Sequence, residues 1–168
     1  MPPRGPIYLP PSMRTSLLFA ALAAFVLAPS ASAQASGFMP YLGYNLDTEN
    51  VLIGVGYRVG VPLEAPVVLA AQPTIEYQFE SDITILQADA NLVAQLSASP
   101  ALAPYVGAGL GVLIVDSEFT DANTELGLNL LGGAVFNPTG FGQPFAQVRY
   151  STAGPDALTL AGGVILSF

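Results

Sequence analysis

Residues 86–96 read Leu-Gln-Ala-Asp-Ala-Asn-Leu-Val-Ala-Gln-Leu, and this stretch decides the fold. Apolar side chains occupy every second position, at Leu86, Ala88, Ala90, Leu92, Ala94 and Leu96. The positions between them are mostly polar, with Gln87, Asp89, Asn91 and Gln95. Because successive side chains of a β-strand point to opposite faces, this alternation predicts a strand with one apolar and one polar face.

The same alternation recurs along the rest of the chain. In each stretch, apolar residues share one parity, and glycine, amide and hydroxyl side chains share the other. The period predicts eight strands, at about 38–46, 51–61, 67–79, 83–97, 104–115, 124–136, 143–152 and 157–168. The fold class predicted is therefore all-β, an eight-stranded antiparallel up-and-down barrel.

The charge content indicates which face of these strands is outside. Charged residues make up 10% of the chain, compared with about 25% in a typical soluble domain. A soluble secreted barrel of the lipocalin kind would bury the apolar face and wet the polar one, and a membrane barrel does the reverse. The apolar parity carries no charge in any predicted strand, as lipid contact requires, since a charge at the bilayer midplane costs about 2–4 kcal/mol. This favours a transmembrane barrel.

The first 33 residues are predicted to be a cleavable signal peptide. Residues 17–28 form an apolar run, Arg14 precedes it, and Ala31-Ser32-Ala33 supplies the small residues of a cleavage site. Met13 is an alternative start of the translated chain. We therefore expect export to the periplasm.

The predicted barrel domain, residues 34–168, has few of the groups on which other functions depend. It keeps two arginines, Arg58 and Arg149, against twelve acidic residues, a formal charge of −10. Without a basic patch to neutralise phosphates, nucleic-acid binding is excluded. The sequence has no His and no Cys, so histidine general bases, thiolates and disulfides are excluded as well. We expect no enzymatic activity, no cofactor and no specific metal site.

Acidic residues concentrate in alternate connections between the predicted strands. Connections one, three, five and seven share one end of an up-and-down barrel, and they contain Asp47, Glu49, Glu80, Asp82, Asp116, Glu118, Asp121 and Asp156. Connections two, four and six contain one acid, Glu64, among several prolines. This segregation predicts an acidic outer rim that binds divalent cations loosely and contacts anionic surface glycolipid through them.

The last residues of the chain carry the most specific motif. In Gly163-Val164-Ile165-Leu166-Ser167-Phe168, a glycine is followed by hydrophobic residues at the third and fifth positions, and the chain ends in an aromatic. This resembles the terminal strand signal of the small eight-stranded outer-membrane β-barrels, the OmpA/OmpX-type transmembrane domain of Gram-negative bacteria. The resemblance covers essentially all of 37–168. It implies an integral outer-membrane protein whose Gly163, Leu166 and Phe168 are read by the β-barrel assembly machinery.

The inward parity of such a barrel would hold every charge that lies within a strand. Eight strands leave an interior just wide enough for side chains to fill. A buried cation without a partner is costly, so we expect a lumenal ion network of Arg58, Glu76, Asp89, Glu125 and Arg149. Further lumenal hydrogen bonds are expected from Gln87, Asn91, Asn129 and Gln147.

Aromatic residues lie mostly towards the ends of the predicted strands, as interfacial girdles do. They are Tyr41, Tyr44, Tyr57, Tyr77, Phe79, Phe136, Tyr150 and Phe168.

Three functional hypotheses follow. The first is a monomeric, non-enzymatic outer-membrane protein that gives envelope structure or a surface for interaction, in contact with outer-membrane lipid. The second is a porin-like barrel that conducts small ions or solutes through its lumen. The third is a soluble, secreted, lipocalin-like ligand-binding barrel.

Overall fold

The computed structural model describes residues 36–61, 67–80, 83–96, 101–117, 120–136, 138–139 and 141–167. The predicted signal peptide at 1–33 lies outside these ranges. So do the rim residues Asp82 and Glu118 and the C-terminal Phe168.

The described residues form eight strands: β1 (Gly37–Asn45), β2 (Asn50–Val61), β3 (Val67–Glu80), β4 (Ile83–Leu96), β5 (Leu102–Ser117), β6 (Thr120–Phe136), β7 (Gly142–Ser151) and β8 (Ala157–Leu166). Each strand pairs antiparallel with the next, and β8 pairs with β1, so the sheet closes into a barrel. The predicted all-β, eight-stranded, up-and-down architecture is confirmed.

Side-chain alternation around the barrel follows the predicted parity. Outward positions of every strand carry exposed apolar side chains, such as Leu42, Val106 and Leu128. Between the strand ends, the described outward positions carry no charged residue. The outer surface is therefore a continuous apolar belt.

The interior differs from the prediction, because it is not polar throughout. Apolar side chains also point inward, among them Met39, Leu52 and Val93, each with no exposed surface. We call the end of the barrel where β1 begins and β8 ends the terminal end. Most members of the larger buried apolar cluster lie near it: Met39, Ala70, Val93, Ala103, Val135, Phe145 and Ile165. A second, smaller cluster of Ile85, Leu113 and Ala153 lies near the opposite end. Many of the buried polar side chains lie between the two apolar clusters, while others, such as Gln143 and Asn45, lie near the two ends of the barrel.

That opposite end, called here the acidic end, carries the connections 46–49, 81–82, 118–119 and 152–156. β5 and β6 extend furthest there, because β6 pairs with β7 only from Asn129 onward, whereas it pairs with β5 from Thr120. The predicted start of this strand at 124 was therefore four residues late. No local signal marks residues 120–123 as strand, and pairing with β5 supplies their structure.

Within the described ranges there is no helix with the length and hydropathy needed to span a bilayer.

Candidate functional site

The centre of the barrel interior is occupied by an ion cluster of Arg149, Glu76 and Asp89, called here the central cluster. Arg149 of β7 forms a bidentate ion pair with Glu76 of β3, with Nη1–Oε1 and Nη2–Oε2 distances of 2.6 Å each. Its Nη1 also donates to Asp89 Oδ2 of β4 at 2.5 Å. One guanidinium thus joins three strands and faces two carboxylates, so the cluster holds one more negative than positive charge.

Neutral donors surround the two carboxylates of the central cluster. The Tyr41 hydroxyl donates to Glu76 Oε1 at 2.7 Å. Gln87 Nε2 donates to Asp89 Oδ1 at 2.9 Å, and Thr74 Oγ1 donates to Asp89 Oδ2 at 3.3 Å. These hydrogen bonds offset part of the cost of removing both carboxylates from water.

Arg58 lies nearer the terminal end and is held without a carboxylate among the described residues. Its Nε and Nη2 donate to Gln72 Oε1 at 3.2 and 2.6 Å, and its Nη1 donates to Gln95 Oε1 at 3.1 Å. The guanidinium carbon lies 4.6 Å from the centre of the Tyr105 ring. We call Arg58, Gln72, Gln95 and Tyr105 the Arg58 cluster.

Gln147 of β7 extends the Arg58 cluster across the barrel. Its Oε1 accepts from Gln72 Nε2 at 3.0 Å and from the Tyr105 hydroxyl at 3.1 Å. Between β6 and β4, Asn129 Nδ2 donates to Asn91 Oδ1 at 3.2 Å. All these side chains are buried, and each makes at least one hydrogen bond within the interior, although Asn129 Oδ1 has no partner among the described residues.

Glycines on the inward parity make room for these side chains. A Cβ at Gly54 would lie 2.2 Å from the ring of Tyr41, and one at Gly133 would lie 2.6 Å from that of Tyr105. A Cβ at Gly111 would lie 2.7 Å from Asp89 Oδ1. Cβ atoms essentially never approach other atoms this closely, so glycine at these inward positions leaves the space that the buried polar side chains occupy.

Glu125 was expected in the lumenal ion network and does not join it. It lies on the part of β6 that extends beyond the last β7 pair, and its Oε1 accepts from Asn123 Nδ2 at 2.6 Å. Among the described residues, the ion pairs of Arg149 go to Glu76 and Asp89 only. The parity of Glu125 is inward, as predicted. However, its position along the barrel axis places it at the opening of the acidic end.

The acidic rim residues that the structure describes lie at one end of the barrel, as the up-and-down topology requires. Asp47 Oδ2 accepts from the backbone N–H of Leu158 at 2.6 Å, and Glu80 Oε2 accepts from Asn50 Nδ2 at 2.9 Å. Asp116 and Asp156 are exposed at the same end, with Glu49 in the β1–β2 turn. Asp121 lies in β6 near the tip of the longest hairpin. In the described part of the chain, no three acidic residues converge into a metal-binding group.

The terminal motif lies partly within the described residues. Leu166 pairs with Phe38 of β1 and with Gly142 of β7, so it is part of the seam that closes the barrel. A Cβ at Gly163 would lie 2.3 Å from the carbonyl oxygen of Pro40. Gly163 is thus required by the close approach of β8 to β1.

Sequence reasoning missed several residues of the interior. Tyr41 was expected in an interfacial girdle, but it is 6% exposed and points inward to Glu76. Gln72 and Thr74 were not singled out, although they share the parity of Glu76. Strict parity counting from Glu76 along β3 would have found both, and counting from Asn45 along β1 would have found Tyr41.

Solved structures with the same fold include outer-membrane barrels. The N-terminal β-barrel domain of OprF from Pseudomonas aeruginosa matches with a TM-score of 0.63 and 16% identity, over 80% of this chain and 98% of that one. Neisserial surface protein A, NspA, matches with a TM-score of 0.53 and 18% identity, over 79% and 94%. Ail, the attachment invasion locus protein of Yersinia pestis, matches with a TM-score of 0.50 and 16% identity, over 77% and 94%.

At these identities the likeness concerns the fold, which is that of the small eight-stranded outer-membrane β-barrels. No family model matches the sequence, and no curated protein matches it.

Proposed function

We propose that this chain is an integral outer-membrane β-barrel protein that gives the envelope structure or a surface for interaction and catalyses no reaction. The apolar belt carries this proposal. A belt of exposed leucine, valine and aromatic side chains around a closed barrel is far larger than the apolar patches that soluble monomers expose. The hydrocarbon layer of a bilayer accepts such a surface.

Membrane fractionation tests the proposal. The native protein should remain in the membrane pellet after alkaline carbonate extraction, and it should require detergent for release. In detergent, the unboiled protein should migrate differently from the boiled one, because a closed barrel resists unfolding. A protein that is soluble without detergent would overturn the proposal and favour a secreted ligand-binding barrel.

The absence of catalysis is supported by how the interior carboxylates are used. Glu76 and Asp89 are both engaged by Arg149 in a layer with apolar side chains above and below it. A general acid or base must reach a bound substrate within hydrogen-bond distance, and both of these carboxylates are buried among their hydrogen-bond donors.

Ion conduction is the second candidate, and the polar side chains of the interior favour it. The close packing of side chains in the interior opposes it, because eight strands leave a lumen that side chains fill. We therefore expect very low conductance for the purified protein in planar lipid bilayers. Large, stable pores from a monomer would overturn the filled interior and move conduction to first place.

The acidic end is proposed to face the outside of the cell. There the rim would contact anionic surface glycolipid through loosely bound divalent cations, since direct contact would be repulsive. Binding of glycolipid vesicles to the reconstituted protein should then require Mg²⁺ and be lost with a chelator. Equal binding in both conditions would remove the cation bridge.

Assembly is proposed to depend on the terminal motif of Gly163, Leu166 and Phe168. Deleting Phe168 should reduce insertion in cells more than refolding in detergent, since refolding does not involve the assembly machinery. Equal losses would indicate that Phe168 acts in the structure alone.

A further inference from the structure

The apolar belt contains a groove on the outer wall formed by β1, β2 and β3. Its volume is about 260 Å³, and it is lined by Phe38, Val55, Gly56, Tyr57, Pro73, Thr74 and Ile75. Phe38 and Tyr57 are paired across β1 and β2, so their side chains form one side of the groove. The groove lies in the half of the barrel nearer the terminal end.

Pro73 explains why the wall is indented at this place. The β2–β3 pairing runs from Leu52 with Gln78 to Gly56 with Thr74, and it resumes only at Val59 with Ala71. Proline has no N–H to donate to a neighbouring strand, so the ladder is interrupted where Pro73 faces β2. Pro73 and its outward neighbours Ala71 and Ala90 are small, whereas Phe38, Tyr57 and Ile75 beside them are large, and a hollow results.

We infer that this groove holds one acyl chain of a membrane phospholipid. The inference rests on the proposed function, because it takes the belt to be surrounded by lipid. The groove is continuous with the belt, and Phe38 and Val55 belong to both. The terminal end faces the periplasm in the proposed orientation, and phospholipid forms that leaflet of an outer membrane.

Packing is the physical reason for retention of the chain. Within a bilayer there is no hydrophobic force between apolar groups, so association depends on van der Waals contact. A chain on the convex belt is contacted from one side, whereas a chain in the groove is contacted by its floor and both sides. Each contact contributes little, but a whole chain makes many of them.

The chain has no Trp, so one introduced Trp is a unique fluorescent probe. We choose Phe38→Trp for the groove and Phe136→Trp as its matched control. Phe136 ends β6 at the same end of the barrel, is 45% exposed where Phe38 is 40% exposed, and does not line the groove. Both variants are reconstituted into vesicles of phosphatidylcholine brominated on its acyl chains, which quenches a neighbouring Trp.

The vesicles are then dissolved in an excess of unbrominated detergent. The Phe38→Trp protein should remain quenched, because its lipid chain stays in the groove, whereas the Phe136→Trp protein should recover its fluorescence. Filling the groove with Pro73→Phe in the Phe38→Trp background should abolish the persistent quenching. Tyr57→Trp provides a second groove probe if Phe38→Trp fails to fold.

Full recovery of both groove probes in detergent would overturn the inference and leave the proposed function intact. Absence of quenching at Phe136→Trp in the vesicles would instead contradict membrane insertion itself. Persistent quenching that survives Pro73→Phe would also overturn the inference, because the chain would then be retained elsewhere.

Discussion

Arg149 and Arg58 are buried in the same barrel, at 2% and 1% exposure, but they have different partners. Arg149 faces two carboxylates, and its charge is overcompensated locally. Arg58 is bound by two glutamine oxygens and the face of a tyrosine ring, which compensate its charge only through dipoles. The comparison shows that a narrow barrel can bury a guanidinium beside carboxylates or beside neutral acceptors, even though Nε of Arg149 has no hydrogen-bond partner among the described residues.

The two clusters complement each other over the whole interior. The fully buried charges among the described residues are Arg58, Arg149, Glu76 and Asp89, and they sum to zero. Neither cluster is neutral alone, since the central cluster has a surplus carboxylate and the Arg58 cluster has a surplus cation. Removing the arginine therefore leaves different groups behind: two buried carboxylates in the central cluster, and only neutral side chains in the Arg58 cluster.

Arg149→Leu should have the largest effect. The change leaves Glu76 and Asp89 buried without a cation, and breaking a buried pair in this way costs roughly 3–5 kcal/mol. The free energy of unfolding in detergent, measured by urea titration, checks it. Adding Glu76→Leu should recover part of the loss, whereas adding Glu125→Leu should recover none. Recovery with Glu125→Leu would mean that the pairing described here is wrong.

Glu76→Gln should lower the free energy of unfolding more than Asp89→Asn does. Glu76 accepts two hydrogen bonds from Arg149 and one from Tyr41, and a hydrogen bond to a charged group contributes about 1.5–3 kcal/mol. Asp89→Asn removes the surplus negative charge and leaves the bidentate pair of Arg149 and Glu76 in place. The same urea titration compares the two variants, and the reverse order would show that Asp89 is the principal partner.

Arg58→Met should cost less than Arg149→Leu, because it strands no charge. Two glutamine oxygens lose a donor, a penalty of about 1–3 kcal/mol, while methionine keeps much of the contact with the Tyr105 ring. A loss as large as that of Arg149→Leu would mean that Arg58 compensates the surplus carboxylate over a distance. The double variant Arg58→Met with Asp89→Asn would then be more stable than Arg58→Met alone.

Glu125→Gln should have the smallest effect and serves as the control for the carboxylates. Its side chain lies at the mouth of the barrel, where substitutions usually change stability by no more than about 0.5 kcal/mol. A loss comparable to that of Glu76→Gln would return Glu125 to the buried network.

Period-two alternation was enough to predict the strands, their number and the parity of nearly every inward residue. Arg58, Glu76, Asp89 and Arg149 were all placed inward because parity is a local property of a strand. Tyr41 was misplaced because position near a strand end was given more weight than parity. The extra length of β6 was missed because residues 120–123 are mostly polar and gain their strand conformation by pairing with β5.

The sequence by itself determined the barrel, its apolar belt, the concentration of acids in alternate connections and the inward parity of the charged residues within the strands. Only the tertiary structure decided which charges meet. Glu76 and Asp89 are 73 and 60 residues from Arg149, on strands that are not hydrogen-bonded to β7. Their meeting depends on the stagger of strands around the closed barrel, which sets the height of each side chain along the axis. Stagger accumulates over all eight pairings, so no single stretch of sequence encodes it.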